Sequence, residues 1–137
     1  MAFVYPIEFY QNLGKLFYAI AASDKVVRPE EYAKLKDIVK KDWISSSFIE
    51  DANKKNAEAS IINTFNWLEN DKEYDAETCY NSFVSYKKQH GDFFTPEVNK
   101  LIIKTASAIV YAFLGSNKQE LILLTKLKLE LNKKLMT

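Results

Sequence analysis

Apolar residues return every three or four positions along almost the whole of this chain, and nowhere do they alternate for long enough to make a strand. Side chains three and four apart share one face of an α-helix, whereas a half-buried strand needs a period of two. The pattern therefore predicts an all-α chain, a compact bundle of about six helices. The first helix opens near Pro6 and carries Phe9, Leu13, Leu16, Phe17 and Ile20 to about Ser23. Pro29 opens a second, with Glu30 and Glu31 in its first turn and Tyr32, Leu35, Ile38 and Val39 along one stripe to about Trp43. The third runs from about Ala52 to Leu68, its first half exposed. In the fourth, Asp75 is the N-cap, Cys79, Phe83 and Tyr86 are the buried stripe, and His90-Gly91 is the stop. Thr95-Pro96 starts the fifth, which continues through Phe113 until Gly115; Ser116 and Gln119 form a capping box for the last, lined by leucines 121, 124, 127, 131 and 135.

At 137 residues the chain fits one domain, 1–137, and buries roughly two thirds of its unfolded surface, enough for a core without disulfide or metal. The charge balance, 19 basic against 18 acidic residues, leaves a net +1, and Arg28 is the only arginine. Bidentate contacts to phosphates and bases are thus nearly absent, which argues against a nucleic-acid partner. Cys79 is the only cysteine, so the chain has no intramolecular disulfide and no cysteine-cluster zinc site. Leu101 to Leu114, the most apolar stretch, is interrupted by Lys104 and is shorter than the ~20 residues of a membrane span. The N-terminus lacks the basic and apolar regions of a secretory signal, and the expected location is cytoplasmic.

The stretch Leu16-Phe17-Tyr18-Ala19-Ile20-Ala21-Ala22-Ser23-Asp24, followed by Val26-Val27-Arg28-Pro29-Glu30-Glu31 and Leu35, resembles the helix-turn-helix of the TerB-like family. That pattern is an Ala-rich amphipathic helix, an Asp-Gly turn, a short apolar step and acidic residues opening the next helix. The family includes the tellurite-resistance protein TerB and the cytosolic part of membrane-anchored DnaJ-like co-chaperones. The resemblance implies an all-helical fold of two related hairpins, with helices one, two, five and six forming the core, and no enzymatic activity. A degenerate second copy is visible in Ile109-Val110-Tyr111-Ala112-Phe113 with Glu120 and Leu124, pairing Glu31 with Glu120 and Leu35 with Leu124. The second turn is shorter and lacks an acid matching Asp24, and Lys25 stands where the motif has glycine. The resemblance also implies a metal site built from the acids of both hairpins, of which at most half survives here.

Asp24, Glu30 and Glu31 are the candidate ligands for Ca²⁺ or another divalent cation, the only cofactor the sequence suggests. The plainer reading has both glutamates complementing the helix dipole and Asp24 accepting backbone N–H bonds in its turn. An acid just past a helix C-terminus is the oddity between these readings, because the dipole there is negative. The alternating acids Asp71, Glu73, Asp75 and Glu77 fail as a calcium loop, since the sixth position is Ala76 instead of glycine and the twelfth Ser82 instead of glutamate. Cys79 and His90, the only thiol and imidazole, fall on one helix about 16 Å apart and cannot pair as nucleophile and base. The three glycines are too scattered for a phosphate-binding loop. The last helix carries Ile122, Leu123 and Leu129 outside its main stripe, which predicts either burial within the domain or a protein partner or second copy on that side.

Overall fold

The computed structural model describes residues 5–71, 74–112 and 118–132. Among these lie six α-helices and no strand: α1 Ile7–Ala21, α2 Pro29–Ile38, α3 Lys54–Asp71, α4 Ala76–Gln89, α5 Pro96–Tyr111 and α6 Lys118–Asn132. The start signals act as the chemistry dictates. Asp75 accepts the Thr78 N–H at 2.8 Å to cap α4, and Thr95 Oγ1 accepts the Val98 N–H at 3.2 Å to cap α5, with Pro96 in the first turn. Of the pair expected to cap α6, Ser116 lies outside the described residues, as do Phe113 and Leu135.

α2 continues into a turn of π-helix over Val39–Trp43, where the Ile44 N–H reaches back to Val39 O at 3.1 Å. The widened turn sets Trp43 inward. Its ring is fully buried and its Nε1–H donates to Thr105 Oγ1 of α5 at 2.9 Å. A buried indole needs such a partner, and this bond joins α2 to α5 through the core.

The expected core of helices one, two, five and six requires correction. α1 is the centre, and its chief neighbours are α3 and α4, with α5 next. The reason is that α1 is apolar on more than one side: Tyr10, Tyr18, Ala19 and Ala21 are buried as well as the Phe9–Leu13–Leu16–Phe17–Ile20 stripe. A helix that is apolar nearly all round must be surrounded. Gly14 marks the tightest approach, because a Cβ there would lie 2.7 Å from Ile61 O and 2.8 Å from Thr64 Cβ of α3. α6 packs mainly on α5 through Leu124, Leu127 and Leu131. Ile122 and Leu129 are exposed, while Leu123 is half-buried and packs against the core. No described helix is long and apolar enough to cross a membrane.

Candidate functional site

The turn between α1 and α2 is built by local hydrogen bonding. Ala22 N–H closes on Tyr18 O and Lys25 N–H on Ala22 O, both at 2.8 Å, and Lys25 takes a left-handed φ of 71°. Asp24 Oδ1 then accepts the Val26 N–H at 3.1 Å, and Glu31 Oε1 accepts the Arg28 N–H at 2.9 Å, which fixes the first turn of α2. These bonds aim the remaining oxygens of both acids at one spot.

Arg28 fills that spot. Its Nη1 lies 2.9 Å from Asp24 Oδ2, 3.9 Å from Glu31 Oε2 and 3.7 Å from Glu120 Oε2, the last from the start of α6. The site is nearly closed to solvent: the side chains of Glu31 and Glu120 are 0% and 1% exposed, that of Asp24 8% and that of Arg28 20%. Burial, a hydrogen bond to Glu31 and the Glu31 and Asp24 charges push the Glu120 carboxyl up to about 9, against the pull of Arg28. The Glu120 carboxyl is therefore held in its neutral form at pH 7, hydrogen-bonded to Glu31. One guanidinium and one proton thus neutralise most of three buried carboxyl groups.

Asp24 and Glu31, both expected as ligands, are brought together. Glu30 is not: it is exposed and lines a shallow depression with Lys34 and Asp37 of α2 and Tyr111 of α5. The oddity of an acid beyond a helix C-terminus is explained by Arg28, four residues on, whose guanidinium holds it. Sequence reasoning treated Arg28 only as a count against nucleic acid and Glu120 only as the counterpart of Glu31. A signal for Arg28 was present in the spacing, since it stands four residues after Asp24 and three before Glu31, whereas none pointed to Glu120. As arranged, the cluster does not fit a divalent cation. The carboxylate oxygens surround a nitrogen at 2.9 to 3.9 Å, where Ca²⁺ would need oxygens at about 2.3–2.6 Å around itself. Among the described residues no group of three or more His, Cys, Asp or Glu side chains is arranged to hold a metal ion.

Cys79 is buried on α4, and its burial pushes the thiol up. His90 ends the same helix, its ring parallel to Phe93 at 5.5 Å and against Tyr86 at 4.4 Å. A second ion pair, invisible in the sequence because its members are far apart along the chain, joins Lys87 of α4 to Glu130 of α6 at 3.4 Å, with both side chains under 10% exposed. The chain matches no family model, no curated protein and no solved structure.

Proposed function

We propose that this chain is a non-enzymatic, TerB-like helical domain that acts by binding a protein partner, and that the Asp24–Arg28–Glu31–Glu120 cluster is the internal junction tying α6 to the α1–α2 turn. The observation that carries this reading is Arg28 itself, whose guanidinium stands where a bound cation would have to stand. The TerB-like part is supported by Lys25, whose left-handed backbone falls at the position where the resembled motif has glycine, and by contact between Glu31 and Glu120, the counterparts of the two hairpins. A binding role is supported by the separation of Cys79 from His90 on α4 and by the exposed apolar residues of α6. A place in a stress response rests on the resemblance alone.

Hydrogen exchange on Arg28→Leu tests the junction. Amides in the first turns of α6 should exchange faster than in the parent while those of α3 and α4 stay as they were; an α6 that is unaffected sinks the reading. Convergence of three carboxyl groups favours a second reading, in which a divalent cation displaces Arg28. Isothermal titration of metal-free protein with Ca²⁺, Mn²⁺ and Zn²⁺ separates the two, because only the second predicts saturable heat that disappears in Asp24→Asn.

A further inference from the structure

A concavity between the start of α5 and the end of α6 lies apart from the charge cluster. It encloses about 550 Å³. Its floor is apolar, made by Phe94, Ile103 and Leu131, and Phe94 is held rigidly against Phe9 and Phe83 with ring centroids 5.6 Å away in each case. Its two walls each carry an exposed lysine, Lys100 on α5 and Lys128 on α6, and no carboxylate of the described residues lines it. Neither lysine has an ion-pair partner among the described residues, although acids answer Lys41, Lys54, Lys87 and Lys104 elsewhere. Asn99 adds a directional group. Its Nδ2 donates to Phe94 O at 3.2 Å, while its Oδ1 is buried and has no hydrogen-bond partner among the described residues.

We infer that this groove binds an acidic, apolar peptide segment of a partner protein in extended form: a large aliphatic side chain on the Phe94–Ile103–Leu131 floor, carboxylates toward Lys100 and Lys128, and a backbone N–H donated to Asn99 Oδ1. Each element of the occupant answers one feature of the groove. An apolar floor alone would accept any hydrophobic group, but lysines on both walls with no acid between them select negative charge. The acceptor left over on Asn99 selects a chain with free N–H groups, which an extended peptide has and the interior of a helix does not. A site of this kind also suits a volume within the ordinary range for ligand clefts. The inference rests on the binding-domain reading above and gives that reading its partner chemistry.

The test is an NMR titration of the full ¹⁵N-labelled chain with a terminally capped peptide of alternating leucine and glutamate, and with its leucine–lysine counterpart. The acidic peptide should give saturable shifts at the Asn99 side-chain amide and over residues 94–103 and 128–132, and the basic one should not. Lys100→Glu/Lys128→Glu, whose changes lie on exposed positions, should weaken the acidic peptide at least about tenfold and let the basic one bind, with the circular dichroism spectrum unchanged. Asn99→Leu should weaken binding without altering the preference for acidic over basic peptide. Equal affinity for both peptides, shifts centred elsewhere, or no saturation at millimolar peptide would each overturn the inference. If α6 still loosens in Arg28→Leu, such a failure removes the groove assignment and leaves the junction standing.

Discussion

At the scale of single residues, the α1–α2 turn concentrates what is unusual in this molecule. Lys25 is the only non-glycine residue with positive φ among those described, in a region that costs an L-residue roughly 1–2 kcal/mol. Glycine would remove that cost and add back part of it as unfolded-state entropy. Lys25→Gly should therefore stabilise the fold by about 0.5–1 kcal/mol, read as a higher urea midpoint at unchanged m value. A lower midpoint would mean that the Lys25 side chain contributes more than its backbone costs. Around Lys25 the chain turns far enough for Asp24 to reach both the Val26 N–H and the Arg28 guanidinium. The metal-like spacing of Asp24, Glu30 and Glu31 was plain in the sequence. What could not be read there is that Glu30 stays outside and that the cation between Asp24 and Glu31 is Arg28 of the same turn, because that depends on the rotamer of Arg28 and on Glu120 arriving from far along the chain.

At the scale of helices, the elements were readable and their neighbours were not. Starts at Thr95-Pro96 and Asp75 follow from local hydrogen-bonding chemistry, which a sequence displays directly. The central role of α1 follows from a second apolar side that includes Tyr10, Tyr18 and three alanines or glycines, and small residues leave little trace in a pattern of large hydrophobes. Gly14 is the sharpest case. Its contact with the Ile61 carbonyl is with rigid backbone, so Gly14→Ala should push α3 away from α1 and destabilise by about 1–3 kcal/mol despite the better helix propensity of alanine. Thermal melts would show it as a lowered Tm, and an unchanged Tm would mean the two helices are free to separate. The Lys87–Glu130 pair makes a complementary prediction for α4 and α6. Lys87→Met leaves a buried carboxylate without its cation and should cost on the order of 3 kcal/mol, whereas Lys87→Met/Glu130→Leu should regain most of that loss. A double variant as unstable as the single would show that the pair holds the helices by more than its own charge balance.

At the scale of the whole molecule, the charge cluster makes folding sensitive to pH. Glu120 binds its proton more tightly folded than unfolded, rising from an ordinary 4.5 to about 9 through burial and the neighbouring Glu31 and Asp24, with Arg28 opposing. The native state thus holds a proton that the unfolded chain releases, and stability must fall as pH rises between those two values. The contribution is fully present below about 4.5 and is lost progressively up to about 9, at no more than about 1.4 kcal/mol per pH unit for the single proton. Glu120→Gln keeps the size and the neutral, hydrogen-bonding character of the protonated acid, and its amide can still donate to Glu31. Urea unfolding at several pH values should therefore find the variant at least as stable as the parent near pH 8, with the difference shrinking toward pH 5. Glu31→Gln should also flatten the profile, since it removes one of the charges that push the Glu120 carboxyl up. Parallel profiles for all three proteins would mean that Glu120 is ionised in the native state and that Arg28 alone balances the cluster.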